Sequence, residues 1–352
     1  MLTKSNSHRI IFLDFLRIFA ALSVLVGHKL FPQLVSITGD LTIHPIFRYM
    51  AEALMPVCYA GIAGVIVFFL ISGYIITKVS ELESPTSFLI KRIFRIYPLY
   101  IFAVLLQIGM DRYFLGTPIP HIEILIPRLL LIGDLFQTPY ALGGVEWTLR
   151  IELLYYLLMW CLMILGVINR AYFLPFLYIL IIVALYFIPS LPTLGIGFSG
   201  YVNCFSPFLL IGSAIYLYEQ RKVSAYLLIL IIGITYYCFY DLAYRNEYFW
   251  RSSNSAIYAI LIFIACWLLQ KYFIFGKAFG LMASLSYSIY LLHDWLWNYL
   301  VKWIEEIGWI RFSSALMTFV TLIAICIITH LTVEKYGNKV GGKLSTRFKQ
   351  IH

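Results

Sequence analysis

Four short stretches of this sequence carry side chains whose types and spacing could do chemistry. The first, DFLRIFAALSVLVGH, places Asp14, Arg17 and His28 on one apolar segment. On a helix, Arg17 and His28 are separated by about 16 Å of rise and return to within about 20° of one direction, so both share a face. Asp14 lies about 60° round, on the His28 side. Such a stripe either lines a polar path, or is an Asp14–Arg17 pair that helps topology with His28 in the headgroup zone. In the first reading His28 is the reactive group, since an imidazole titrates near neutrality and can take and return a proton. The second stretch, FLIKRIFRIYPLY, gathers Lys91, Arg92 and Arg95. Arg92 and Arg95 stand about one turn apart and can grip one phosphate together, although ordinary positive charge at an inner membrane face would also put cations there.

The third stretch is GGVEWTLRIELLYY, residues 143–156. Glu152 is expected just inside the outer end of its helix, at a depth similar to His28. There it could orient the imidazole, accept a hydrogen bond from a substrate hydroxyl, or simply be an interfacial acid. Trp147 fits an interfacial aromatic belt, with stacking on a substrate as its other use. The fourth, SLSYSIYLLHDWLW, sets Ser286 and His293 two turns apart on one face. His293 can serve equally as a structural hydrogen-bond partner for a neighbouring helix or as a catalytic group.

The elements that must position these groups are membrane helices. Of 352 residues, 62% are hydrophobic and only 12% charged, where soluble proteins carry about 25% charge. A mean hydropathy of +0.87 over the whole length excludes a soluble enzyme on a single anchor. It also excludes a disordered or nucleic-acid-binding chain, despite the net charge of +9. The apolar runs are continuous and do not alternate every second residue, so the expectation is an all-α polytopic protein and not a barrel. Ten spans are predicted near 10–31, 60–78, 96–111, 149–168, 171–188, 200–218, 225–240, 254–270, 284–301 and 311–333. The chain reads as one integral-membrane domain over 1–352.

Residues 121–136 form an eleventh apolar run, interrupted by Pro127, Arg128 and Asp134. Charge decides its placement, because cytoplasmic loops collect Lys and Arg. If it stays outside, sixteen cations, from Lys4 and Arg9 to the tail, fall inside and nine outside; if it crosses, eleven fall inside and thirteen outside. The segment is therefore predicted to be re-entrant or to lie on the outer face, with both termini cytoplasmic. Asp14 and Arg17 break the signal-peptide pattern, so the first span is expected to be retained. The six cysteines lack metal-ligand spacing and read as packing residues, and a Cys58–Cys204 disulfide is not expected.

Five segments in order resemble the acyltransferase-3 family of integral-membrane acyltransferases: the Arg17–His28 pair, GVIVFFLISGYIITK at 64–78, the Arg92–Arg95 segment, WTLRIE at 147–152 and SYSIYLLH at 286–293. Ile66, Arg150 and Leu153 depart from that pattern, which often has an acid, a serine and a second glutamate there. The likeness is to compact stand-alone members that O-acetylate surface carbohydrate. It implies transfer of an acyl group, usually acetyl from cytoplasmic acetyl-CoA, to a hydroxyl of a carbohydrate or lipid-linked glycan, in the plasma (inner) membrane. Arg92 and Arg95, helped by Lys91, would hold the donor's phosphates, and the thioester arm would enter beside Arg17. His28 would act as general base or acyl carrier, and Glu152 and His293 would orient it or the acceptor. Membrane lipid is the expected surrounding, and neither metal nor nucleic acid is implied. The competing class is a transporter of a lipid-linked glycan or other anion along the same charges.

Overall fold

The computed structural model describes residues 10–192, 199–251, 254–274, 276–308 and 313–351; Lys4 and Arg9, used in the charge count, lie outside them. Among the described residues the protein is all helix, a polytopic membrane protein. Seven helices are long and apolar enough to cross a bilayer: α1 Ile11–Gly39, α2 Pro45–Ser80, α3 Pro85–Leu115, α5 Glu146–Ile164, α7 Tyr201–Glu219, α8 Ala225–Arg245 and α13 Ser314–Phe348. Between them lie α4 Ile122–Leu129, two apolar helices of 14 residues, α6 Leu174–Phe187 and α9 Ser255–Leu268, and the series α10 Lys277–Ser284, α11 Ser286–Leu292 and α12 Trp295–Glu306. Over the described residues all ten expected spans are helical, residues 311 and 312 of the last lying outside them, but that near 284–301 is divided. Its break falls at His293 and Asp294.

The bundle is built around α2, which packs against α1, α5, α7 and α9. From Ile62 onward α2 is apolar on every side, the pattern of a helix surrounded by others. Lipid is as apolar as a leucine, so contact between helices depends on close approach and on hydrogen bonds. Gly73 and Gly212 supply the first reciprocally. A Cβ on Gly73 would lie 1.9 Å from the Leu209 carbonyl oxygen, and one on Gly212 2.1 Å from that of Leu70. The second comes from the hydroxyls of Thr77, Tyr155, Tyr178 and Ser213, linked at 2.6 to 3.2 Å across α2, α5, α6 and α7.

Ion pairs identify which helix ends share a face. Lys222 meets Glu81 at 2.7 Å, and Ser345 meets Ser87 at 2.6 Å. These ends, with the Lys91–Arg92 turn of α3, make a basic face. At the other end Lys29 meets Asp294 at 2.6 Å and Tyr299 donates to Asp111. This is the His28 face. α13 lies along α3, its Gly337 and Gly341 seated on Pro98 and Phe94.

Segment 121–136 does not cross. Its helix, α4, rises only about 12 Å, and the chain packs beside α3, where Tyr97 and Tyr100 donate to the carbonyls of Leu130 and Arg128. Arg150, one of the departures from the family pattern, holds it there. Its Nη1 meets Asp134 at 2.8 Å, its Nε donates to the Leu131 carbonyl, and its guanidinium covers the Tyr140 ring. Tyr201 donates to the same carboxylate. All six cysteines are free thiols, with only Cys161 exposed.

Arg150 and Asp134 are both nearly inaccessible, so removing one strands the other. Arg150→Ser is expected to cost about 3–5 kcal/mol, read as a fall in melting temperature and faster proteolysis within 121–144. Adding Asp134→Asn should recover part of the loss.

Candidate functional site

His28 sits in a π-helical turn, Val26–Leu30, inserted into α1. Such turns shift the register of the side chains that follow and recur at functional sites. The turn lies against a kink in α2, where Ala60 and Gly61 both adopt left-handed φ, 52° and 67°. A Cβ on Gly27 would lie 2.1 Å from the Cys58 carbonyl oxygen and 2.4 Å from the Gly61 nitrogen. Backbone thus meets backbone, and the kink delivers the Ala60 carbonyl to 3.2 Å from His28 Nε2.

His28 Nδ1 stands 2.9 Å from Nε2 of His293, which is fully buried. His293 Nδ1 is 2.8 Å from the Tyr290 carbonyl. A carbonyl only accepts, so Nδ1 of His293 carries the proton and its Nε2 is bare. With both rings neutral, the single N–H of His28 either donates from Nδ1 to that Nε2 or from Nε2 to the Ala60 carbonyl, and only a protonated His28 makes both bonds. In the first tautomer the lone pair of His28 is on Nε2, beside a carbonyl oxygen that favours a proton arriving there. The break after α11 is also satisfied internally. His293 Nδ1 takes the Tyr290 carbonyl, and Trp295 Nε1 takes that of Leu291 at 3.0 Å.

His28 opens into a cavity of about 560 Å³, walled by Phe31, Tyr59, Trp147, Phe249 and Trp250 together with Asp294 and the Gly143–Gly144 turn. A second, narrower cavity of about 150 Å³ lies toward the basic face. It is lined by Arg17, Arg92, Arg95, Ser72, Glu152 and Tyr156 among others. Val65 and Tyr290 belong to both walls. The Tyr290 hydroxyl is 2.6 Å from Thr148 Oγ1, and its ring meets Phe68 edge to face. This pair of side chains is the partition.

Three guanidinium groups border the narrow cavity. Arg95 Nη1 meets Glu334 at 2.6 Å. Glu334, buried in the second π-helical turn, His330–Glu334, also faces Ser288 at 3.2 Å and His330 at 3.0 Å. Arg92 is held loosely, 3.9 Å from Glu83, and its buried Nε has no hydrogen-bond partner. Arg17 meets Asp14 at 2.8 Å. Glu152 accepts from Ser72 at 3.0 Å and from Tyr156. The arrangement combines anion-binding donors at one cavity with an imidazole at the other, Val65 and Tyr290 belonging to both walls.

Residues 10–331 match the acyltransferase domain family of the acyltransferase-3 type. The chain belongs to that family. Acyltransferase MdmB of Streptomyces mycarofaciens is 29% identical to it over 150 residues, 40% of this chain and 36% of that protein. The chain thus aligns with little more than a third of this relative's length. No solved structure matches it.

The chain gathers Arg17, Arg92, Arg95 and Glu152 around one cavity and pairs His28 with His293 at the edge of the other. Glu152 is not at His28's depth, as expected, but with the arginines. The carboxylate beside His28 is Asp294. Lys91 is absent from the cavity wall; it meets Glu83 at 2.5 Å. Trp147 is no lipid-facing belt residue but a buried wall of the wide cavity, packed on Phe205 and Tyr201. Sequence reasoning passed over Asp294 and Glu334. The rule that singled out the other intramembrane charges applied to both.

The hydrogen-bond chain makes a spectroscopic prediction. In 15N-histidine spectra of the protein in bilayers, His293 should report a protonated Nδ1 and a bare Nε2. His28→Ala should shift the Nε2 resonance alone. A protonated Nε2 on His293 in the resting protein would be the contrary result.

Proposed function

We propose that this acyltransferase takes an acetyl group from acetyl-CoA held at the basic face and passes it to a hydroxyl of a carbohydrate or lipid-linked glycan in the wide cavity. Cytoplasmic placement of the basic face, with the chain in the inner membrane and both termini inside, follows from the charge bias. One observation carries the reading: the wide cavity that His28 lines and the narrow cavity that three arginines line share the wall residues Val65 and Tyr290.

Arg92 and Arg95 offer guanidinium forks to the donor's phosphates, and the unpartnered Nε of Arg92 is a donor still to be used. The thioester arm enters beside Arg17. Tyr290 must leave Thr148 for the acyl carbon to meet the acceptor. The acceptor oxygen then attacks the thioester carbonyl as His28 Nε2 removes its proton. The tetrahedral adduct collapses to the ester and the CoA thiolate, and the proton on His28 returns to that sulfur or to water. In the relay version Nε2 itself attacks, giving acyl-imidazole and thiolate, and the acceptor hydroxyl then takes the acyl group as its proton passes to the thiolate or to water and Nε2 is freed. His293 Nε2 keeps its hydrogen bond to the protonated ring in either route. Glu152 acts on the donor side.

Purified protein in lipid vesicles should consume acetyl-CoA only when acceptor is present. His28→Ala is expected to lower kcat by at least about 100-fold. Arg92→Ala should raise the KM for acetyl-CoA by about tenfold, equivalent to about 1.4 kcal/mol. Full activity in both variants would remove this site assignment. Glycan movement without thioester consumption would make the protein a transporter.

A further inference from the structure

We propose that the wide cavity selects its acceptor by charge through Asp294, admitting a neutral or amine-bearing sugar ring and refusing an acidic one. The inference rests on the wide cavity being the acceptor's site. Apart from tyrosines, the ionisable side chains in its described wall are His28 and Asp294; neither lysine nor arginine faces it. With the Lys29 ammonium lying outside the wall and already paired with Asp294, a ligand carboxylate would therefore meet no cationic side chain in the wall except His28. Pairing there would hold the imidazole protonated, the state that cannot accept the hydroxyl's proton.

Asp294 is built to face inward. Lys29 binds its Oδ1 at 2.6 Å from behind and is tied in turn to Asn298 Oδ1 at 3.1 Å. The Lys29 side chain is only 11% exposed and is not in the wall, whereas that of Asp294 is 24% exposed and is. The other oxygen, Oδ2, lies against Gly143, where an added Cβ would fall 1.7 Å away. Gly143 has φ +70°, a region glycine adopts freely. This turn leaves a slot for that carboxylate oxygen and no side chain to cover it. A sugar hydroxyl or ammonium can donate to Oδ2, while an acidic sugar brings like charge against it. The aromatic walls act in the same direction, because their ring faces attract cations and repel anions. Selection of this kind works by repelling the wrong partner as much as by holding the right one.

Binding of methyl glucoside, methyl glucosaminide and methyl glucuronide to the full protein in nanodiscs, without donor, tests this by calorimetry and saturation-transfer NMR. The expected order is amine at least as tight as neutral, and both at least about tenfold tighter than the acid. Asp294→Asn should shrink that gap to within about threefold. Because this variant leaves Lys29 without its counter-ion, the double variant Lys29→Gln/Asp294→Asn, which removes the pair as a pair, should do the same. Equal binding of all three by the wild type, binding of none, or a gap that persists in both variants overturns the proposal. The same panel with acetyl-CoA separates the two readings. Thioester consumption indifferent to acceptor charge sinks the selection alone. Charge-ordered binding with no consumption upholds the selection and sinks acyl transfer.

Discussion

α1 and α2 touch through bare backbone, and the placement of the His28 imidazole follows from that contact. At Gly27 there is no room for a Cβ, because the Cys58 carbonyl and the Gly61 nitrogen already occupy its place. The two left-handed residues at 60 and 61 bend α2 so that its carbonyl turns toward α1. The π-turn of α1 brings His28 round to meet it. In lipid, where apolar burial gives helices little reason to prefer one another, such glycine contacts set the distance between them. Here they also set the distance from an imidazole to its carbonyl.

Every polar group placed inside this bundle needs a partner within it, and the pattern of partners shows where the protein is complete. The carbonyls freed by the break after α11 are both taken by neighbouring side chains. Glu334 is shared among Arg95, Ser288 and His330. Arg150 and Asp134 satisfy each other with help from Tyr201. Seven buried side-chain polar atoms among the described residues have no hydrogen-bond partner, and of these only Arg92 Nε belongs to a residue that lines the narrow cavity. A donor left over at a cavity wall is where a ligand's oxygen completes the account.

The two cavities differ as their positions require. The narrow one combines three arginines with a single glutamate, which suits a polyanion arriving from the basic face. The wide one is walled by aromatic rings and holds a carboxylate and an imidazole, which suits an uncharged polyol lying on apolar surfaces. Tyr290 belongs to both. Its hydroxyl ties it to α5, while its carbonyl fixes the tautomer of His293. One residue thus belongs to both compartments and orients the ring that pairs with His28.

The sequence alone determined the membrane class and the helical segments, and it singled out 121–136 as a run that does not span and Arg17, His28, Arg92, Arg95 and His293 as candidates. These are properties of composition, run length and charge within one segment, and each is local. Tertiary structure decided everything that depends on two segments meeting. Helical spacing put Arg17 and His28 on one face, but only the packing assigned them to different cavities with Tyr290 between. Counting residues from a helix end set Glu152 level with His28. Its real level depends on where α5 starts relative to α1 and α3, which packing decides. Asp294 carried the same signal as its neighbour His293, yet its role beside His28 arises from a helix break and a glycine turn 151 residues away in sequence. Distances between helices depend on which small residues face each other, and that pairing is not contained in either helix by itself.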